Sequence, residues 1–206
     1  MPRLEDLVAA EHCAVVTMEI QRGVVGDLSC IPLLQKTVEA SGMIANTQAL
    51  LSSARAAGVR VVHATAAFRR DRAGSFQNVP MVNALLRNPD HMIEGSPEVE
   101  VVPELGPEPE DLVSERFHGM SPFTNTPLDA MLRSLGVQTV VATGVSLNVG
   151  ILGLVIEAVN RGYSVVVPRD CVVGFPEDYG EAVLDNTLAQ LGKLCTAAEL
   201  SEVWSG

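Results

Sequence analysis

The chain of 206 residues is poor in aromatic side chains, which make up 4% of it, with one Trp, two Tyr and five Phe. Its core must therefore be built from Val, Leu, Ile and Ala, which suits a parallel sheet covered by helices. Basic residues are also scarce: 14 Lys and Arg stand against 25 Asp and Glu, a net charge of −11. That balance favours solubility and argues against nucleic acid or an anionic membrane as a partner. No apolar run approaches the roughly 18 residues that span a bilayer. The four cysteines, Cys13, Cys30, Cys171 and Cys195, form no C-x-x-C pair and read as reduced thiols, Cys13 and Cys195 lying in predicted strands. The first residues, MPRLEDLVAAEHC, lack a basic, apolar, cleavable pattern, so a cytoplasmic location is expected. There is no repeat, low-complexity tract or linker, and one domain over 1–206 is expected.

What is present alternates between strand and helix. Apolar, β-branched runs predict strands at 13–18, 59–64, 112–115, 137–143, 163–168 and 193–196. Helical spacing predicts helices over 35–57, from Thr126-Pro127 to Gly136, from Val149 to Gly162, and over 177–191. Thr126 suits an N-cap and Pro127 a first helical position. Residues 68–74, FRRDRAG, form a basic loop. Residues 75–106 show no clear period, and a loop of that length is expected to be a lid, a binding loop or an oligomer arm. The predicted fold is a three-layer α/β/α arrangement around a mainly parallel, about six-stranded, Rossmann-like sheet.

Function is sought where the strand over 139–143 passes through Gly144-Val145-Ser146-Leu147-Asn148 into a helix. A helix that starts at the end of a parallel strand turns free N–H groups toward the ligand side of an open sheet. Polar residues also close the other strands: Glu19 and Gln21 after the first, His63 at the end of the second, Arg116 and His118 after the third.

Three stretches resemble the isochorismatase-like hydrolase superfamily, which includes nicotinamidases and N-carbamoylsarcosine amidohydrolases. They are VVTMEIQRG, SPFTNTPLDAMLRSLGVQTVVATGV and GVSLNVGILGLVIEAVNRGYSVVVPRD, which follow in the family's order and spacing over nearly the whole chain. The resemblance implies an Asp–Lys–Cys triad, and all three positions differ here: Glu19, Arg116 and Gly150. Gly150 can form no thioester. Glu19 and Arg116 keep the charge signs while changing the reach, Glu by one methylene and Arg by a planar fork. As the resemblance frames it, Glu19 is the candidate acid or base, Arg116 an anion clamp, His118 an auxiliary proton carrier, and Gln21, Ser146, Asn148 and Gly150 line the substrate. Asn148 is expected to hydrogen-bond within its turn, Gln21 equally reads as a structural anchor, and His63 as a satisfied core histidine. Family members that cleave vinyl ethers protonate them with the Asp, which Glu19 could copy only if Arg116 stands clear of it.

The resemblance also implies a cis peptide at Val145–Ser146 and a homo-oligomer. Metal-binding members use Asp and His after strand two; here that stretch reads ATAAFRRD, so neither metal nor other cofactor is expected. Ser146, Ser121 and Cys171 are the candidates for a displaced nucleophile, and Arg69, Arg70 and Arg72 for attracting an anion to the mouth. Two readings stay open: an enzyme acting on a small, carboxylate-bearing molecule without a cysteine nucleophile, and a non-catalytic binder or assembly partner using a degenerate pocket.

Overall fold

The computed structural model describes residues 2–206. Strands β1 (Cys13–Met18), β2 (Arg60–Ala66), β3 (Leu112–Arg116), β4 (Thr139–Val145), β5 (Ser164–Pro168), β6 (Val172–Val173) and β7 (Lys193–Cys195) form one parallel sheet. Its order is β3-β2-β1-β4-β5-β7, with the short β6 beside the end of β4. The expected six strands become seven because Val172–Val173 adds a two-residue strand too short to show a period.

Every residue of β1 and β4 is buried, as expected for central strands covered on both faces. Alternate side chains serve two cores. Val15, Val61, Val141 and Val166 pack with Leu50, Leu51, Val59 and Leu200 on one face. Ala14, Val16, Val62, Val140 and Ala142 pack with Leu128, Leu132, Ile151 and Leu154 on the other.

The helices are α1 (Leu4–Leu7), α2 (Pro32–Ser41), α3 (Met43–Ala56), α4 (Pro80–Leu85), α5 (Leu128–Ser134), α6 (Leu152–Asn160), α7 (Glu177–Val183), α8 (Ala189–Leu191) and α9 (Ala197–Ser205). The single helix expected over 35–57 is two, separated at Gly42, whose φ of 71° lies in the left-handed region that breaks helical geometry. The helix after β4 opens with a wide π turn, Leu147–Ile151, before regular α6. A second π turn, Leu184–Leu188, divides the predicted helix over 177–191. The last helix, α9, is an addition; Thr196 and Glu199 cap it reciprocally, and Trp204 Nε1 donates to the Val8 carbonyl at 2.8 Å. Among the described residues no helix is long and apolar enough to cross a membrane.

From β1 the chain steps outward to β2 and β3; β4, β5 and β7 lie on the other side. The order therefore reverses between β1 and β4, and the crevice above their C-terminal ends is the place where open α/β sheets take ligands.

Candidate active site

That crevice is a cavity of about 340 Å³. Its floor comes from strand ends: Glu19 after β1, Arg116 closing β3, and Val145, Ser146 and Gly150 after β4. The register that sets Ala66 beside Arg116 and Met18 beside Gly144 brings these exits level. Residues 75–106 supply the outer wall through Phe76, α4 and His91, so the stretch read as aperiodic lines the cavity. Pro80 at the start of α4 was the local signal for that helix.

Glu19 and Arg116 are in direct contact, Arg116 Nη2 donating to Glu19 Oε1. Arg116 Nε donates to the Gly119 carbonyl at 3.2 Å. Its Nη1 is buried with no protein partner, in a side chain 8% exposed. A buried guanidinium N–H left unpaired costs free energy until an oxygen meets it. Glu19 sits at φ 50°, a left-handed conformation unusual for a side chain of its size, with its N–H donating to the Ala64 carbonyl at 3.0 Å. Its side chain is 20% exposed, and Arg116 engages it through Oε1.

The turn residues differ from expectation in detail. Asn148 borders the cavity but does not bond within its own turn: Nδ2 reaches the Phe175 carbonyl at a long 3.5 Å, and the buried Oδ1 has no partner. Ser146 lines the cavity, and its carbonyl accepts from Val149 and Ile151, closing the π turn. The Val145–Ser146 peptide is cis, as the resemblance implied. Gly150 is buried at the cavity floor, and a Cβ there would lie 2.8 Å from the Val145 carbonyl oxygen and 3.0 Å from Met18 Cε.

Gln21 does not reach the cavity as a substrate ligand. Its amide is held by backbone on both sides, Nε2 donating to the Ala66 and Val99 carbonyls at 2.9 and 2.7 Å and Oε1 accepting from Ala66 N at 2.8 Å. It ties the β1 exit to β2 and the outer wall. His118 lines the cavity with its ring 4.8 Å from that of Phe76, an aromatic contact. His63 is the core histidine expected: Nδ1 meets Thr17 Oγ1 at 2.8 Å and Nε2 meets Asp111 at 3.1 Å, 1% exposed. Burial pushes its pKa down. Burial also pushes Asp111 up, but hydrogen bonds from Arg55, the Glu108 N–H and His63 together hold it below the usual carboxylate value.

The other nucleophile candidates stand apart. Ser121 is buried and its Oγ accepts from Phe123 N at 3.3 Å. Cys171 is buried, its thiol pushed up to about 12 by burial. The basic loop does not reach over the mouth: Arg69 pairs with Asp71, Arg70 with Asp90, and Arg72 donates to the carbonyls of Asn88, Pro89 and His91. Missed from sequence is His91, a 5% exposed ring on the cavity wall whose Nδ1 lies 3.1 Å from Cys30 Sγ. A sequence separation of 61 gave no local signal. Among the described residues no three His, Cys, Asp or Glu side chains converge to hold a metal ion.

The isochorismatase domain family matches residues 13–199, and the chain belongs to that family, a superfamily of cysteine hydrolases. Ureidoacrylate amidohydrolase RutB from Enterobacter sp. (strain 638) is 29% identical over 217 residues, covering 96% of this chain and 91% of its own. A cysteine hydrolase from Pseudomonas syringae pv. phaseolicola 1448A shares the fold with a TM-score of 0.82 at 23% identity, covering 97% of this chain and 95% of that one. An isochorismatase family protein from Burkholderia thailandensis gives 0.77 at 27% identity, covering 95% and 97%.

Proposed function

We propose that this isochorismatase-family chain is a hydrolase of small amides or ureides that bear a carboxylate or a second carbonyl, working without a nucleophile at position 150. The observation that carries it is the Arg116 guanidinium: held by Glu19 and Gly119 yet with Nη1 buried and unpartnered at the cavity. A substrate oxygen meeting that N–H makes a charge-assisted hydrogen bond, the strongest kind the site offers. The name of the RutB relative, an amidohydrolase of a ureido acid, fits the same chemistry.

Glu19 then acts as a general base. Its carboxylate takes a proton from water as the water oxygen attacks the carbonyl, and returns it to the leaving nitrogen. The N-terminal end of the helix entered at Leu147 favours the negative charge that develops on the carbonyl oxygen. The vinyl-ether route is the weaker one, because it needs a proton-donating Glu19 clear of Arg116, and the two touch.

A second reading, a binder without turnover, is favoured by that same contact, which engages the base in an ion pair. Turnover of a panel of amides, ureides and vinyl ethers by wild type and Glu19→Gln separates the two. General-base catalysis predicts a loss of about 10²–10⁴-fold in Glu19→Gln. Equal turnover by both proteins refutes the role of Glu19, and saturable binding of a panel member with no turnover by either supports the binder.

A further inference from the structure

The cavity gathers the aromatic side chains of a chain that has few. Of five Phe in 206 residues, four line it: Phe68, Phe76, Phe117 and Phe175. The fifth, Phe123, packs in the core against Tyr163, their ring centroids 6.0 Å apart. Three of the seven Met, namely Met81, Met92 and Met120, line the same cavity. Their unbranched thioethers adapt to a ring and make favourable contacts with it. The polar side chains around the cavity are Glu19, His91, Arg116, His118, Ser146 and Asn148; the rest of the lining is apolar or glycine.

Two of the four rings are held by neighbours. Phe68 has the Arg72 guanidinium 5.4 Å from its centroid and the His91 ring at 6.0 Å. Phe76 meets the His118 ring at 4.8 Å. Yet Leu33, Phe76, Met81 and Phe175 all remain exposed, Phe76 at 62% and Phe175 at 40%. Apolar side chains turned to water around one concave site, in place of the core, mark where an apolar group is taken up. A volume of about 340 Å³ is that of a small-molecule site. At the floor, the buried and unpartnered Nη1 of Arg116 calls for an oxygen. The occupant therefore has two unlike ends, an oxygen-bearing one for the guanidinium and an apolar one for the wall.

We propose that the substrate is an aryl-bearing amide or ureide, its carboxylate meeting Arg116 and its ring lying among Phe68, Phe76, Phe117 and Phe175. The proposal rests on the hydrolase reading above for the reaction and adds the group that decides specificity. Aromatic rings meet offset or edge to face, and such pairs are favoured beyond the area they bury. Phe76 and Phe175, which have the most surface left to cover, are the specificity-determining side chains. A short polar substrate engages Arg116 equally well but leaves those rings in water.

Calorimetry with 3-phenylpropionate, 3-cyclohexylpropionate and propionate reads recognition without turnover, in wild type, Phe76→Ala and Phe175→Ala. Wild type is expected to bind 3-phenylpropionate at least about tenfold more tightly than propionate, the effect of burying one benzene ring. It is expected to bind 3-phenylpropionate at least as tightly as 3-cyclohexylpropionate, although the saturated ring is the more apolar. Each substitution is expected to cut the phenylpropionate-to-propionate affinity ratio at least about threefold. Both side chains are exposed, so neither truncation opens the core, and the ratio is unaffected by a partly unfolded sample. A ratio near one in wild type, tighter binding of the cyclohexyl acid, or an unchanged ratio in both variants overturns the proposal. So does sedimentation in which wild type self-associates and both variants are monomeric with that ratio unchanged, since the rings then serve a second copy of the chain. In turnover, N-carbamoyl-DL-phenylalanine is expected to exceed N-carbamoylglycine at least about tenfold in kcat/KM. Aryl preference in binding with no turnover of either ureide overturns the hydrolase reading and leaves the aryl site standing. Glu19-dependent turnover of N-carbamoylglycine at equal or higher kcat/KM, with no aryl preference in binding, does the reverse.

Discussion

Placing a side chain at position 150 is the sharpest test of how this turn is built. A Cβ on Gly150 would come within 2.8 Å of the Val145 carbonyl oxygen and 3.0 Å of Met18 Cε. The Met18 methyl can retreat by changing rotamer; the Val145 oxygen is backbone at the end of a fully buried central strand and can move only with it. Forcing extra volume into a packed site costs about 1–3 kcal/mol. Replacing Gly in a helix returns at most about 0.5–1 kcal/mol, and less in a first turn. Gly150→Ala is therefore expected to lose about 1–2 kcal/mol. At this chain length, that is roughly 2–8 °C in Tm. Urea unfolding of wild type, Gly150→Ala, Met18→Leu and the double variant resolves the two contacts, because Leu lacks the terminal methyl. Coupling between the sites measures the Met18 contact, and the remainder belongs to Val145. The double variant is expected to recover only part of the loss. A Gly150→Ala protein as stable as wild type would refute the claim that the turn has closed around glycine. On the same grounds Gly150→Cys is expected to be destabilised similarly and to place its sulfur in no ready-made thiol site.

Arg116→Met removes the guanidinium from a contact whose carboxylate is 20% exposed, so the cost falls below that of a fully buried pair, at about 1–3 kcal/mol by urea unfolding, and calorimetry is expected to show at least tenfold weaker binding of a carboxylate ligand. Burial holds His63 and His91 below the ordinary 6.5, so the unfolded chain binds more protons just below that pH. Stability is then full above about 6.5 and falls as pH drops through the window beneath it, and the urea midpoint at pH 5.5 is expected to lie below that at pH 7.5; equal midpoints would count against buried neutral imidazoles. Trp204→Phe removes the donor to the Val8 carbonyl that ties α9 to the N-terminal segment, and is expected to cost about 0.5–1.5 kcal/mol in the same assay.

Those features were unevenly legible in the sequence. The central strands announced themselves because burial on both faces demands unbroken runs such as CAVVTM, whereas Glu19, Arg116 and Gly150 were singled out through the family resemblance. Gly42 was invisible as a break because apolar spacing continues across it, and only its positive φ divides the helix. The Thr196–Glu199 capping box carried a readable helix start, directly after the short strand β7 (Lys193–Cys195). Gln21 shows where pattern misleads: a polar residue two positions after a candidate base suggests substrate, but a buried amide with three backbone partners is a fastener. Contacts between distant segments, such as Cys30 with His91 or Phe76 with His118, depend on how 75–106 folds back over the sheet, and no local period encodes that.

The neighbours of Gly150 explain why its lack of a side chain and the identity of Glu19 belong together. Met18 is the last residue of β1 and Glu19 follows it outside the strand, at a φ of 50°. Met18 turns into the buried layer and its methyl stands 3.0 Å from where a Cβ at 150 would be. Glu19, at φ 50°, turns into the cavity and reaches Arg116 across the width of β2, which lies between β1 and β3 in the sheet. Neighbouring strands are about 4.8 Å apart, so that span is close to 10 Å, and a carboxylate one methylene shorter would ask more of the guanidinium fork. The charged pair is thus set by sheet spacing, and the space it overlooks at 150 is held by backbone and a methionine methyl. The charged groups at the cavity floor are therefore Glu19 and Arg116, the pair on which the proposed chemistry rests.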